Sequence, residues 1–534
     1  MALKYAARRP LTFCSIRCYL AEHYLLLTWN RVVIRLVLSS RMLVANLINQ
    51  LQNRGYSPQL WPAQIQLLEF DLACACIDSR RVRSNDLFCV FAGSKQRGSD
   101  FIDSAIANGA ALLLVDKLNE QCDFPQLVVG DQLASVAGHC ADLLAGEPSS
   151  KMWCAAITGT NGKTTVAHLM CGALQEVQVS AASCGTLGMM DSNGSITPNL
   201  NTTPSSDIVH AWMADLLRDG CEAAIVEASS HGIVQQRLTA VSFDCVGFTN
   251  LSHEHLDYHN TLEEYAAAKM QLVNSLPASA IAFVPYSPML LDLCSDALAN
   301  IASWSSSNDK ADYMCRISET SHGVDVEFEW QQQHGVIHSD LCGYHNGENL
   351  FVAALMMLSK GLPVEEVCAA LSSQAAADGR LQQVDVHRGL AFVDYAHTPD
   401  AIEKVLRALR TSYPQHLLKV VFGAGGDRDN SKRALMGETV SANADWCVLT
   451  SDNPRTENAE SIIDQVATGV LKNEIEFHKI VKRDDAIRFA IESLDDNDVL
   501  VVAGKGHETY QEINGVRHPF DDRLQILEAV QCLA

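Results

Sequence analysis

The chain reads as an α/β protein of three domains: a small α/β domain, a central P-loop ATPase-like domain with a mainly parallel sheet, and a C-terminal Rossmann-like domain. Three observations predict it. The 534 residues are more than one hydrophobic core organises. Apolar runs of strand length alternate with helical stretches. Many of those runs end in glycine or polar turns carrying Lys, Arg, Asp and Glu, the place where open α/β sheets bind ligands.

Residues 1–41 stand apart from this pattern. They hold Lys4, Arg8, Arg9, Arg17, Arg31, Arg35 and Arg41 against one acid, Glu22. That composition fits a transit segment or sequence upstream of a true start at Met42, and the second is the expectation. Arg31 and Arg35 interrupt the apolar pieces, so no membrane insertion is expected. Residues 42–150 form the first domain, with strands in "DLFCVFAG" (Asp86–Gly93) and "AALLLVD" (Ala110–Asp116) and a linker at "EPSS" (Glu147–Ser150). Residues 151–377 form the second. It opens on "MWCAAITG" (Met152–Gly159) and continues through "AAIVEAS" (Ala223–Ser229), "CVGFTN" (Cys245–Asn250) and "AIAFVP" (Ala280–Pro285). Residues 378–534 form the third, with buried strands in "LAFVDYAH" (Leu390–His397), "LKVVFGAGG" (Leu418–Gly426), "ADWCVLTSD" (Ala444–Asp452) and "DVLVVAGKG" (Asp498–Gly506).

The net charge of −23 argues against a nucleic-acid partner, because phosphate backbones demand Lys and Arg. Anionic small ligands remain open, since they need only a local positive pocket. The eighteen cysteines are scattered and none forms a C-x-x-C pair, so no zinc site is suggested. Cys74 and Cys76 alternate on a strand-like run and read as core packing. Unpatterned cysteines beside a nucleotide loop point to a reducing cytosol.

The chemistry begins at "GTNGKTT" (Gly159–Thr165). The loop sits between an apolar strand and a helix, the context a phosphate loop requires. It is short: the usual G-x-x-x-x-G-K-[ST] spacing would need glycine at Ile157. Its backbone N–H groups, at Gly159, Thr160, Asn161 and Gly162, can cradle phosphates. Lys163 would reach the β/γ-phosphates, and Thr164 or Thr165 would bind Mg²⁺. Glu227 ends a buried strand and suits a metal ligand or water positioner. "TNLSHEHLDYH" (Thr249–His259) crowds histidines and acids at another strand end; zinc or Mg²⁺ would fit equally. "EEYAAAK" (Glu263–Lys269) reads as helix. In the third domain "GGDRD" (Gly425–Asp429), "SDNPR" (Ser451–Arg455) and "GKGHE" (Gly504–Glu508) each follow a strand. Arg428, Asp452, Arg455 and Glu508 in one crevice could recognise a carboxylate and an ammonium together, hence an amino acid.

These motifs, with E-x-S-S-H-G, Y-x-x-A-K, D-Y-A-H-T-P-D and their order, resemble the Mur ligase family of peptidoglycan synthesis from about Ala75 to the C-terminus. The resemblance implies a monomeric, bacterial, cytoplasmic ATP-dependent amide ligase. Its expected reaction adds meso-2,6-diaminopimelate to the D-glutamyl γ-carboxylate of UDP-N-acetylmuramoyl-L-Ala-D-Glu through an acyl phosphate. It implies Lys163 as a catalytic residue and Thr164, Glu227 and His255 around Mg²⁺, with Lys269 carbamylated. Asn346 of "GYHNGEN", Arg380, Asp394 and His397 would close on ATP. Ile77 and Ser79 of "CIDSR", with Ser94, Lys95 and Gln96, would hold the uridine end. Thr202, Thr203, Ser229, Gln235 and Arg237 would hold the muramoyl dipeptide. Arg428, Asp452, Asn453, Pro454, Arg455, Gly504 and Glu508 would form the diaminopimelate pocket, with Arg455 on the distal carboxylate that lysine lacks. One stretch departs from the family pattern S-R-D-H, reading Ser252-His253-Glu254-His255 here. Two rivals share part of the pattern. Folylpolyglutamate synthetase has the short loop but does not explain "DNPR". A catalytically inactive plastid-type scaffold should have lost residues such as Lys163, Lys269 and Arg455, all present here.

Overall fold

The computed structural model describes residues 41–63, 68–91, 98–252, 256–259, 261–320 and 323–533. The chain divides into two compact units, the first ending at Glu147 and the second beginning at Pro148.

The first unit is built on a five-stranded sheet. Its order is Gln59–Trp61, Gln126–Val128, Ala110–Val115, Asp86–Cys89 and Ala75–Cys76, parallel except for the first pair. Residues of "AALLLV" alternate between faces because side chains along a strand repeat every two residues. Leu112 and Leu114 pack with the helices Val44–Asn53 and Leu133–Ala145. Leu113 and Val115 pack with the helix Ile102–Asn108. Cys76 is buried and Cys74 half-buried, so only one of that pair is core.

The second unit holds two large sheets. In the eleven-stranded sheet, Trp153–Thr158 lies between Ala223–Glu227 and Cys245–Phe248, all parallel. Ala155 and Ile157 face the layer that contains helices Lys163–Glu176 and Tyr344–Ser359. Cys154 and Ala156 face the layer with Ser206–Arg218 and Leu262–Asn274. The parallel core runs from Ala181–Gly185 to Tyr313–Thr320. Both ends continue antiparallel, which the motif spacing does not announce. At one end Gln331 and Gln332 both take positive φ, 49° and 68°, the twist that lets a two-residue turn join right-twisted strands.

The six-stranded sheet has the order Gln382–Val384, Leu390–Asp394, Asp498–Ala503, Leu417–Phe422, Trp446–Leu449 and Glu476–Lys479. It is parallel apart from its first pair. Val499 and Val501 face one helix layer and Leu500 and Val502 the other, which is why "DVLVVA" is apolar throughout. Among the described residues no helix is long and apolar enough to cross a membrane. The described cysteines are free thiols, and burial pushes that of Cys140 up to about 12.

Candidate active site

The short loop follows the central strand and runs straight into the helix Lys163–Glu176. Two glycines let it do so. Gly159 has φ 138°, and a Cβ there would stand 2.0 Å from Thr249 Oγ1. Gly162 has φ 86°, and a Cβ would stand 2.2 Å from Asn349 Oδ1. The neighbouring strand end braces the loop from outside. The Thr160 N–H donates to Asn250 O at 2.8 Å and the Asn161 N–H to Asn250 Oδ1 at 3.0 Å. Thr249 Oγ1 donates to Asn161 O. Gly162 offers no side-chain cap, so the helix's first N–H groups face the loop, where an anion is favoured. Lys163 Nζ donates to Gly159 O at 2.9 Å and Thr160 O at 2.8 Å. Lys269, 1% exposed on the helix Leu262–Asn274, donates to the same Gly159 O at 2.8 Å. Its ammonium also lies 4.4 Å from the Tyr265 ring centre. The two lysines expected to serve the reaction therefore meet at one carbonyl. Thr165 is buried in the first helical turn.

Glu227, 2% exposed, is the hub of the adjoining strand end. Its Oε2 accepts from Thr164 Oγ1 and Thr186 Oγ1, each at 2.9 Å, and its Oε1 accepts from the Thr186 N–H at 3.0 Å. Its backbone oxygen accepts from Thr203 Oγ1 at 2.7 Å. Thr203 in turn takes the Ser229 N–H at 3.0 Å and shares a hydroxyl contact with Ser229. Arg237 Nη1 donates to Thr203 O at 2.7 Å and its Nη2 to Gln235 Oε1 at 2.6 Å. Thr202 meets Thr186 at 3.2 Å. One hydrogen-bonded network thus joins the phosphate loop to all five residues expected around a muramoyl dipeptide in this unit.

The six-stranded sheet reaches this site. Arg380 Nη2 comes within 3.4 Å of Thr164 Oγ1, and its guanidinium lies over Tyr395 at 4.8 Å. Asp394 is buried and accepts the N–H groups of Leu381 and Ala396, each at 2.7 Å. Burial holds its carboxyl above the ordinary range, opposed by Arg380 and those two amides. Asn161 Nδ2 lies 3.4 Å from Asp400 Oδ2, on the helix Pro399–Ser412. Asn346 is buried and accepts from Asn349 at 3.2 Å, so it supports the side chain that packs on Gly162. His397 is exposed, with Nδ1 on Tyr395 O at 2.9 Å.

At the carboxyl ends of the same sheet lies a second constellation. Asp452, Asn453 and Pro454 are buried, and Arg455 is half-buried. Asn453 Nδ2 donates to Glu508 Oε2 at 2.8 Å. Gly504 has φ 116°, and its missing Cβ leaves room for Asp452 Oδ2. Arg455 takes φ 51°, costing about 1–3 kcal/mol, and two backbone bonds to the hairpin of strands Tyr510–Ile513 and Val516–Pro519 hold it there: its N–H on Glu512 O and its oxygen under the Asn514 N–H. Arg455 Nη1 donates to Gly426 O at 2.7 Å. Arg428 belongs to that facing loop, its Cγ near Gly425. In the first unit, Ile77 packs on the core and Ser79 is buried, its oxygen accepting from Asn108. His255, Ser94, Lys95 and Gln96 lie outside the described residues.

The comparisons with known proteins point the same way. Residues 73–139 match a model described as Mur ligase family, catalytic domain. Residues 157–357 match the Mur ligase middle domain, and 379–506 the Mur ligase, glutamate ligase domain. A protein of Bradyrhizobium diazoefficiens is 37% identical over 465 residues, 85% of this chain and 94% of its own. One of Caulobacter vibrioides is 38% identical over 475 residues, 86% of this chain and 96% of its own. Both are named UDP-N-acetylmuramoyl-L-alanyl-D-glutamate–2,6-diaminopimelate ligase. The chain belongs to the Mur ligase family. A solved structure bearing that same ligase name superposes with a TM-score of 0.63 at 32% identity, covering 89% of this chain and 98% of the other. A Thermotoga maritima MurF ligase in complex with ADP shares the fold at 18% identity, with a TM-score of 0.60 over 86% of this chain and 97% of its own.

Several residues of this Mur ligase escape a motif reading. Thr186, which holds both oxygens of Glu227, lies in no quoted motif and carries no signal in sequence. Asn349 sits within "GYHNGEN" and Lys505 within "GKGHE", so their positions were in view but not their partners. Arg433, 1% exposed, pairs with Glu457 through two nitrogens at 2.8 Å and also donates to Gly425 O. It ties the "GGDRD" loop to the segment after "DNPR".

Proposed function

We propose that this chain is the ATP-dependent ligase that adds meso-2,6-diaminopimelate to the D-Glu γ-carboxylate of UDP-N-acetylmuramoyl-L-Ala-D-Glu in peptidoglycan precursor synthesis. The observation that carries the reading is the network from Thr164 through Glu227 to Thr203, Ser229 and Arg237. It sets the phosphate loop beside the residues we assign to the peptide, the arrangement that phosphoryl transfer to a carboxylate requires. Residues 42–150 take the uridine nucleotide, 151–377 bind ATP, and 378–534 bind the amino acid.

In this reading the γ-carboxylate attacks the γ-phosphorus of ATP and ADP leaves. The amine of diaminopimelate then attacks the acyl phosphate, loses a proton, and phosphate departs. Lys163 and the uncapped amides of the first turn after Gly162 neutralise charge on the transferring phosphoryl oxygens, whereas the Thr160 and Asn161 amides, expected to join them, are bonded to Asn250. Asn346, Arg380, Asp394 and His397 close on the nucleotide from the other side. The hydroxyl of Thr164 and the carboxylate of Glu227 are hard oxygen donors on one buried spot, which suits Mg²⁺; His255 and a carbamate on Lys269 would complete the set. Bound there, Mg²⁺ supplies further charge neutralisation. Ile77, Ser79, Ser94, Lys95 and Gln96 hold the uridine end. Arg455 takes the distal carboxylate of diaminopimelate, and Arg428, Asp452, Asn453, Pro454, Gly504 and Glu508 form the rest of its pocket. The protein acts as a monomer in the bacterial cytoplasm, without a nucleic-acid partner.

Phosphate release from ATP tests the whole. It is measured with Mg²⁺, bicarbonate and UDP-N-acetylmuramoyl-L-Ala-D-Glu, adding meso-diaminopimelate, L-lysine or neither. Turnover with diaminopimelate alone is expected. Turnover with lysine would overturn the specificity, and no turnover with either amino acid, in a folded protein, would overturn the ligase.

A further inference from the structure

The amino-acid pocket contains a charge that its own recognition chemistry does not need. Lys505 is fully buried, 0% exposed, at the carboxyl end of Asp498–Ala503. Its Nζ lies 3.0 Å from Glu508 Oε2, 3.2 Å from Asn453 Oδ1 and 3.9 Å from Asp452 Oδ1. Asn453 donates to that same Glu508 oxygen, and its Oδ1 also accepts the Glu512 N–H at 2.9 Å. Three residues expected to touch the amino acid are therefore fixed by one ammonium.

Among the described residues no other cation bonds to Asp452 or Glu508, although Arg483 attracts both through space. Arg483 is fully buried and committed to Asp522 through two bonds of 2.7 and 2.6 Å. Arg455 leans on Glu512 at 3.8 Å, and Arg517 lies over the Tyr510 ring. Tyr395, pushed up to about 12 by burial, and Tyr510, also raised, are uncharged near neutrality. Burial lowers His507 to about 4, so it is neutral as well. Arg380 is turned onto Tyr395 and Thr164. The wall formed by Asp452, Glu508 and Lys505 thus carries two negative charges and one positive, a net charge of −1. That balance is matched by one ligand ammonium. Without the lysine, the buried Asp452 and the half-buried Glu508 would face each other with no cation between them.

We infer that Lys505 is the positioning residue of the amino-acid pocket, holding Asp452, Asn453 and Glu508 aimed so that the pocket accepts one ammonium. The inference rests on the ligase reading and deepens it. Lys505 touches the pocket's own side chains and acts on the substrate through them.

The test is steady-state kinetics of Lys505→Met across pH, beside wild type and the double variant Lys505→Met/Glu508→Gln. The single variant should raise KM for diaminopimelate about 10–100-fold, the loss expected for hydrogen bonds to charged groups. KM for ATP and for the UDP-linked dipeptide should stay unchanged. The acid limb of kcat/KM for diaminopimelate should move up by about one pH unit, because a carboxylate deprived of its cation needs higher pH to ionise. The double variant restores the net charge of −1, and its acid limb should return to the wild-type position although KM stays high. An unchanged KM and limb would overturn the inference. So would an equal rise in all three KM values with a lowered Tm, which marks a structural role only. If Lys505→Met fails to fold, the double variant decides: a wild-type limb supports the inference and a raised limb overturns it. A wild-type protein without diaminopimelate-dependent turnover would overturn the ligase reading itself, and this inference with it.

Discussion

The two sites of the second unit are built on different principles. At the phosphate loop, charged side chains are anchored to uncharged partners: Lys163 and Lys269 on Gly159 O, and Glu227 under two threonine hydroxyls and an amide. In and around the pocket proposed for the amino acid, charges are anchored to one another: Lys505 to Glu508, Arg433 to Glu457, and Arg483 to Asp522. In the proposed reading the first arrangement presents Lys163 to phosphate and Glu227 to a metal ion. The second spends most of its charge internally and offers a small, fixed remainder. A site that handles a polyanion gains from charge held in reserve; a site that selects one zwitterion from near relatives gains from rigidity. The physical consequence is that losses at the first site should fall on rate, and losses at the second on stability and selectivity.

The sharpest contrast comes from two cations, the half-buried Lys163 and the fully buried Arg483. Replacing Lys163 with Met should lower turnover by about 10³-fold, the scale of losing a preorganised charge in a transition state. Its cost in stability should be smaller, since its bonds to Gly159 O and Thr160 O are to uncharged carbonyls at a half-buried position. Phosphate release and thermal melting read both quantities. Replacing Arg483 with Met should cost about 3–5 kcal/mol, because Asp522 is left charged and fully buried, and urea unfolding measures it. Equal melting losses in the two variants would break the comparison. Next in size, Arg455→Lys should reduce the preference for diaminopimelate over lysine by about 10²-fold, since a fork is replaced by a point charge. The ratio of the two kcat/KM values gives the answer, and an unchanged ratio would remove Arg455 from the specificity argument.

A smaller effect is read from pH. Arg433 is the chief cause that holds Glu457 down to about 2 from an ordinary 4.5. A depressed carboxylate contributes stability that is fully present above the unfolded value and lost as pH falls through the folded one. Wild type should therefore exceed Glu457→Gln in urea midpoint above about pH 4.5, and the gap should close on acidification toward about 2. A gap that persists at low pH would assign the stabilisation to packing. The smallest effect belongs to the surface: Arg218→Ala, breaking an exposed pair with Asp215, should change stability by at most about 0.5 kcal/mol.

Much of this was legible in the linear chain because the relevant physics is local. A phosphate loop needs glycine where φ is positive and a lysine at the helix start, so "GTNGKTT" announces itself. Buried parallel strands need unbroken apolar runs, so "DVLVVAGKG" marks both a strand and the ligand end that follows it. The expectation that "GGDRD", "DNPR" and "GKGHE" converge has the same origin, since parallel strands deliver their carboxyl ends to one edge. The antiparallel extensions of the central sheet were not legible, because strand pairing direction depends on which edges remain open after folding. Nor was Thr186, whose role exists only because Gly185 lets Glu227 lie against that turn.

The sequence by itself therefore determined the fold class and the family, because backbone conformation and hydrophobic period are set within a few residues. Only the tertiary structure decided which charges are neutralised and by whom. Lys163 and Lys505 both sit inside glycine-flanked motifs, yet one is bound to carbonyls and the other to carboxylates. Electrostatic partnership depends on distance and burial across strands far apart in the chain, and no local spacing encodes it.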